Sequence, residues 1–287
     1  MSGTASVVAR ASLPDEAPQL STADFNRIAT MLHADSGIHL QASKSALVYS
    51  RLIRRLRALG LQNFSTYCDL VASPDGAAER QAMMAALTTN VTRFFREQHH
   101  FNHLRDNVLP EVARRARRGE AVRLWSAASS TGEEPFSIAL TLLAAIPDAG
   151  ALDVRILATD IDPVVLEKAR AATFSDDAVS EIPKPLRARY LEQAGAGQWV
   201  MSDEARKLVA FKRLNLTRTW PLKQQFLAIF CRNVAIYFDA PTQAALWERF
   251  APRLADAGFL YIGHSEHIVS DRYEAVGQTT YRIRGAR

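Results

Sequence analysis

Three short stretches of this sequence combine residue types that could hold and position a ligand. The first is Ser126-Ala127-Ala128-Ser129-Ser130-Thr131-Gly132-Glu133-Glu134-Pro135, a run of small residues that ends in two acids and a proline. Small side chains let a backbone approach a ligand closely before a helix begins, although the G-x-G-x-x-G fingerprint of dinucleotide sites is absent. The second is Ala158-Thr159-Asp160-Ile161-Asp162, where Asp160 can accept both hydroxyls of an adenosine ribose. Asp162 directly precedes Pro163 and reads as a helix cap. A ribose-binding acid also serves hydride transfer, so these two stretches leave the reaction open. In the third, an apolar run over residues 226–230 leads into Cys231-Arg232-Asn233-Val234-Ala235-Ile236-Tyr237-Phe238-Asp239. Arginine, asparagine and tyrosine at the end of a buried strand are costly to place there without partners. His99, His100 and His103 share one predicted helix, but no cysteine or third positioned ligand accompanies them, so no metal site is expected.

These stretches need elements to carry them. Residues 122–125, 154–158, 226–230 and 259–262 read as strands, and residues 273–283 as a closing antiparallel pair around Gly277. Helices are expected over residues 135–145, 162–170 and 241–254. Strands alternating with helices of this length predict an α/β fold with a doubly wound, mostly parallel sheet, whose ligands sit beyond the carboxyl ends of the strands. Residues 174–211 break the alternation with prolines at 183 and 185 and glycines at 195 and 197, and read as an inserted β-subdomain. Ahead of the sheet, residues 21–88 form a small all-helical unit. Its first helix starts at the Ser21-x-x-Asp24 signal, and a second spans residues 44–59 and stops at Gly60. Residues 89–287 form the second domain, and residues 1–20 a loose tail with no signal-peptide core.

Bulk composition is that of an ordinary globular chain, 48% hydrophobic and 23% charged over 287 residues. Two distant cysteines suit a reducing, cytoplasmic setting, and no apolar run is long enough to span a bilayer. The net charge of +5 favours an acidic partner without naming one.

Taken together, Thr89-Asn90-Val91-Thr92-Arg93-Phe94-Phe95-Arg96-Glu97, the 125–135 and 158–162 stretches, Cys231 to Asp239, and Gly263-His264-Ser265-Glu266 resemble the chemotaxis receptor glutamate methyltransferases, the CheR family. The resemblance runs in family order over residues 21–284. It implies a seven-stranded class I methyltransferase sheet, S-adenosylmethionine as cofactor with S-adenosylhomocysteine as product, and glutamate methyl esters on chemoreceptors as the outcome. It further implies that Asn90, Thr92 and Arg96 fold over the cofactor, that Ala128 and Glu134 line its loop, and that Asp160 meets the ribose. Glu134 is preferred to Glu133 because the family's acid directly precedes the proline. Asn215 and Leu216 match the adenine contact, Arg232 and Asn233 the methionine end, and Arg96 with Tyr237 the incoming carboxylate. A glutamate carboxylate is already ionised at neutral pH, so the chemistry needs position and dryness rather than a general base.

On the 44–59 helix, Val48, Leu52, Leu56 and Leu59 share one face, while Lys44, Arg51, Arg54 and Arg55 gather on another with Arg57 at its flank, a cationic stripe with no acid interleaved. The family places its contact with the receptor's helical bundle on this helix. The hairpin around Gly195-Ala196-Gly197 is short compared with members that dock a receptor tail peptide, which speaks against such docking. A nucleic-acid methyltransferase is the main rival reading, but Arg232-Asn233-Val234 stands where a base-methylating motif would be, so no nucleic-acid partner is expected. Neither is membrane insertion.

Overall fold

The computed structural model describes residues 18–285. Of the tail expected over residues 1–20, residues 1–17 lie outside the described part. The chain forms two compact units, one made of the residues up to Met31 with Gln41–Leu87, the other of Leu32–Leu40 with Thr88 onward.

The first unit is helical. Helix α1 (Thr22–Ser36) begins where Ser21 Oγ accepts the Asp24 amide at 3.1 Å and donates to its carboxylate at 2.6 Å. Helices α2 (Ser45–Ala58), α3 (Phe64–Ala72) and α4 (Ala77–Leu87) follow, α3 being capped by Asn63. The buried face of α2 is Val48, Leu52, Ile53 and Leu56. The expected fourth member, Leu59, is 41% exposed because α2 ends at Ala58 and the chain turns away at left-handed Gly60. The cationic stripe on α2 also differs from expectation. Although α2 itself carries no acid, buried Glu79 of α4 accepts a two-pronged bond from Arg55, through Nε at 3.0 Å and through Nη2, and a third from the Tyr67 hydroxyl at 2.8 Å. Arg51 donates to the carbonyl of Leu87 at 2.8 Å, at the end of α4. Arg54, Arg57 and Lys44 are exposed.

The second unit is built on a twisted sheet. After helices α5 (Gln98–His103) and α6 (Leu109–Arg117), joined by a π-helical turn, the chain lays down β1 (Val122–Ser126), α7 (Glu133–Ala145), β2 (Val154–Asp160) and α8 (Pro163–Ala171). An insertion follows with β3 (Thr173–Ser175), α9 (Asp176–Ser180), α10 (Lys184–Tyr190), β4 (Leu191–Gln193), β5 (Gln198–Met201) and α11 (Asp203–Arg206). The main sheet resumes with β6 (Val209–Arg213), β7 (Phe226–Cys231), α12 (Ala240–Phe250), β8 (Leu254–Ile262), β9 (Tyr273–Gly277) and β10 (Thr280–Ile283). The seven-stranded sheet has the order β6-β2-β1-β7-β8-β10-β9, parallel except where β10 joins β8 and β9. The inserted strands make their own antiparallel sheet, β3-β5-β4. Strand β6 pairs with β2, so the insertion closes before Val209, earlier than the expected boundary at residue 211.

Every residue of β7 is buried, as a central parallel strand covered on both faces requires. Trp125 of β1 is fully buried against Phe226 and Phe250, and its indole N–H is satisfied by Thr159 Oγ1 at 2.9 Å. Strand order runs outward from β1 through β2 to β6, then returns to β7 on the other side of β1. The loops after β1 and β7 therefore diverge at the reversal point, where open α/β sheets bind their ligands.

Candidate functional site

The loop after β1 is fixed by side chains at the end of β2 and by a backbone bond to β7, where the Ala127 amide donates to the Phe230 carbonyl at 2.7 Å. Asp160, at the end of β2 and 8% exposed, accepts the Ser130 amide at 2.9 Å and the Asp162 amide at 3.0 Å, one on each oxygen. Each oxygen keeps a second lone pair. Burial raises the Asp160 pKa against the pull of those amides. Asp162 caps α8 through the Val164 amide at 2.8 Å and also accepts from Asn90 Nδ2 at 3.2 Å. Ser130 Oγ donates to the carbonyl of Asn90 at 2.9 Å, so Asn90 is tied once to the loop after β1 and once to the α8 cap after β2. At the start of α7, Gly132 adopts φ +105°, and a Cβ there would lie 3.2 Å from that of Ala169.

Beyond β7 the central group is Arg232, 6% exposed. It reaches Glu134 Oε2 at 3.3 Å, Glu97 Oε2 at 3.4 Å and the carbonyl of Arg96, and it lies over the Phe101 ring at 5.6 Å. Ser126 Oγ donates to the other oxygen of Glu134 at 2.7 Å. Glu133 instead accepts from Thr131 at 2.7 Å, so Glu134 rather than Glu133 faces the arginine. Glu97 gathers Asn233 Nδ2 at 3.4 Å and the His264 amide at 3.2 Å on its Oε1. Burial alone would raise the pKa of Glu97, but the Arg232 charge and the His264 hydrogen bonds together outweigh it and hold the carboxyl below its ordinary value. Glu134, deeper, goes the other way: burial raises it despite Arg232.

Two further observations single out this region. Phe95, Glu97, Ser130 and Asn233 are held at φ between +47° and +59°, a left-handed conformation that costs a non-glycine residue about 1–3 kcal/mol. Buried polar atoms without a hydrogen-bond partner among the described residues also collect here: Ser129 Oγ, Arg232 Nε, Glu97 Oε2, His99 Nε2 and His100 Nδ1. Buried carboxyls at the site, Glu134, Asp160 and half-buried Glu97, outnumber the one buried guanidinium. Strain, unused polar atoms and surplus negative charge are what a site built for a cationic, polar ligand would have before that ligand arrives.

The sequence matches the CheR methyltransferase all-alpha domain over residues 23–88 and the CheR methyltransferase SAM binding domain over residues 90–282. The chain belongs to the CheR methyltransferase family. It is 50% identical over 258 residues to a probable chemotaxis protein methyltransferase of Rhizobium etli, a match covering 88% of this chain and 96% of that one. It is 44% identical over 267 residues to chemotaxis protein methyltransferase 2 of Pseudomonas aeruginosa, covering 90% and 92%. To the chemotaxis protein methyltransferase of Escherichia coli it is 41% identical over 270 residues, covering 92% of each. S-adenosylmethionine is accordingly the cofactor, and the residues fit it. Its sulfonium and ammonium groups would offset the surplus carboxyls, and its ribose diol could use the remaining lone pairs of Asp160.

Within this CheR chain the residues singled out by sequence fall in different places. Asn90 and Asp160 belong to one set of hydrogen bonds, with Ser130 and Asp162, and Glu134, Arg232 and Asn233 to a second, with Glu97. Thr92 and Ala128 are half-buried beside them in the chain, and Arg96, also half-buried, donates to the Val91 carbonyl at 3.1 Å. Tyr237 closes the 3-10 turn Ala235–Tyr237, its carbonyl accepting the His39 amide at 2.7 Å. Asn215 is already occupied. Its amide donates to Asp35 O at 2.6 Å and accepts from the Thr217 amide and hydroxyl, strapping the 32–40 segment to the chain after β6. Leu216 is buried in the core cluster that contains Trp125.

Sequence reasoning gave no role to Glu97, Ser126 or Glu266, although each lies in one of the stretches that carry the family resemblance. Glu97 also changes the reading of the histidines. Glu97, His99 and His100 bring one ligand atom each within 4.8 Å of one another, so the third ligand judged absent from the sequence does exist in space. The cation that Glu97 meets there is Arg232. His100 is fully buried against Tyr261 and accepts or donates at Thr279 Oγ1, 2.9 Å away. Burial, then the Arg232 charge, lower its pKa and keep the ring neutral.

Proposed function

We propose that this methyltransferase transfers the methyl group of S-adenosylmethionine to glutamate side chains of bacterial chemoreceptors, forming glutamate methyl esters. What carries the reading is that both CheR segments match in order and nearly end to end, and that the relatives so matched are named for chemotaxis. S-adenosylmethionine supplies an electrophilic methyl on a sulfonium. The acceptor carboxylate, ionised well above its pKa of about 4.3, attacks in line. A C–O bond forms, the S–C bond breaks, and its electron pair stays on sulfur, so no proton has to move. The chain's task is to bind, align and exclude water.

The same reading assigns the roles. Asp160 orients the ribose, while Glu134, Arg232 and Asn233 form the polar wall at the methionine end. Asn90 and Thr92 close the segment over the cofactor, with Ala128 leaving room in the loop below. Arg96 and Tyr237 hold the acceptor carboxylate through one oxygen and leave a lone pair of the other for attack. Leu216, buried in the cluster with Trp125, is assigned to the adenine end by its family match and backs that end from the core. Asn215 contributes through the turn it fixes, since most of its side-chain valence is spent. Lys44, Arg54 and Arg57 are the exposed cations proposed to meet an acidic helical bundle, with Arg51 and Arg55 anchoring the same helix to α4. The protein is proposed to act in the cytoplasm, where its free cysteines Cys68 and Cys231 stay reduced. Among the described residues no helix is long and apolar enough to cross a membrane.

The test supplies purified protein with labelled S-adenosylmethionine and offers receptor and nucleic acid side by side. Base-labile label on receptor is expected. Label on RNA or DNA, or base-stable label on protein, would overturn the acceptor.

A further inference from the structure

Glu266 lies just past β8 and is 3% exposed, yet the reaction as described makes no use of it. Its two oxygens accept four backbone amides. Oε2 takes Gly263 at 2.5 Å and Asn233 at 3.0 Å, and Oε1 takes Val234 at 3.0 Å and Ile236 at 3.2 Å. Burial raises its pKa, and the amides pull it back. Three of the four donors belong to the turn that follows β7, which starts at left-handed Asn233 and ends at Tyr237. A short turn leaving a strand has few backbone partners of its own, and here one carboxylate stands in for them. Gly263 completes the arrangement: a Cβ there would lie 2.4 Å from Asn233 Nδ2 and 2.7 Å from Asn233 N, so the turn after β8 is seated directly on the turn after β7.

Arg232 does not depend on this arrangement in the same way. It is held separately by Glu134, Glu97 and the Arg96 carbonyl. The stretch from Asn233 to Tyr237 owes three of its amide partners to Glu266, with further ties from Glu97 to the Asn233 side chain and from the His39 amide to the Tyr237 carbonyl. We infer that Glu266 is a positioning residue for methyl transfer, setting through four backbone amides the turn that presents Tyr237 to the acceptor. The inference rests on the proposed glutamate methylation. Glu266 touches no substrate and moves no proton.

Glu266→Gln keeps the size of the side chain but turns an amide donor toward two of the four N–H groups. With receptor as acceptor, kcat should fall about 10- to 100-fold, as misplacement of a reacting group by about an ångström does. The Kd for S-adenosylhomocysteine, read by calorimetry, should rise far less than kcat falls, by no more than about threefold, because Arg232 and Asp160 keep their own partners and Asn233 alone of the proposed cofactor residues is held by Glu266. Combined with Tyr237→Phe, the loss should be no greater than that of the more impaired single variant, because both act through one group. Amide exchange at residues 233, 234, 236 and 263 should quicken about tenfold or more while β7 amides stay protected. Should Glu266→Gln not fold, Glu266→Asp, which retracts the carboxylate by one methylene, reads out the same split. Faster exchange with unchanged kcat makes Glu266 merely structural and overturns the inference, as do multiplying losses in the double variant or unchanged exchange. A wild-type enzyme inactive on receptor is a different failure, since it removes the acceptor reading itself.

Discussion

Asp160 illustrates how one side chain both builds a loop and waits for a ligand. Its oxygens already hold the Ser130 and Asp162 amides, so removing it loosens the β1 loop and deletes the ribose acceptor together. Asp160→Ala should weaken S-adenosylhomocysteine binding by about 1.5–3 kcal/mol, the usual worth of hydrogen bonds to a charged group. Unchanged affinity in titration calorimetry would take Asp160 out of the site. Glu134→Gln should weaken the same binding more than Glu133→Gln, because only Glu134 meets Arg232. Asp160 could be singled out in the sequence by its place at a strand-to-helix junction, and Glu134 by the resemblance, since the family's acid directly precedes the proline. Glu97 and Glu266 were not singled out. Glu97 acts on Arg232 and His264, far along the chain, and a buried acid of this kind looks in sequence like any solvated one.

At the scale of elements, α2 separates two jobs that its sequence presents as one stripe. Arg55 satisfies Glu79, a carboxyl 8% exposed, whereas Arg54 and Arg57 face outward. Arg55→Ala leaves Glu79 with the Tyr67 hydroxyl alone and should cost about 1–3 kcal/mol of stability, the penalty for stranding a buried acceptor. Arg54→Ala with Arg57→Ala should leave the melting temperature nearly unchanged and lower receptor methylation at constant cofactor affinity. Equal methylation would return these arginines to plain solvated surface. Helix periodicity showed the stripe but not the partner, because Glu79 arrives from α4. Strand β6 was hidden for a related reason. Edge strands need only one buried face, and its short apolar run, residues 208–211, passes straight into Lys212 and Arg213 and reads as the tail of the insertion. Strands β1 and β7, buried throughout their length or nearly so, announced themselves.

For the whole molecule, the buried groups predict how stability follows pH, and they do not all push the same way. His100 has its pKa lowered from 6.5 by burial and then by Arg232, with His99 adding to the same direction and Glu97 opposing it. An unfolded chain therefore takes a proton on His100 near pH 6.5 while the native ring stays neutral, so its stabilising contribution is present above that pH and is lost as pH falls below it. Asp239, lowered to about 2 by its bonds to Thr242 and then His33, contributes above pH 3.8 and fades only as pH nears 2. Glu133, Glu134, Asp160 and Glu266 act oppositely, since burial raises their pKa and protonation relieves the native state as pH falls. These terms overlap in a single melting curve, but His100→Gln separates one of them, because glutamine stays neutral at every pH. A constant offset from lost ring packing is expected at all pH values. Beyond that offset, the wild type should lose melting temperature more steeply than the variant between pH 7 and pH 5 in scanning calorimetry. Parallel curves would mean that His100 takes up its proton over the same pH range folded as unfolded, and the neutral ring beside Glu97 and Arg232 would have to be abandoned.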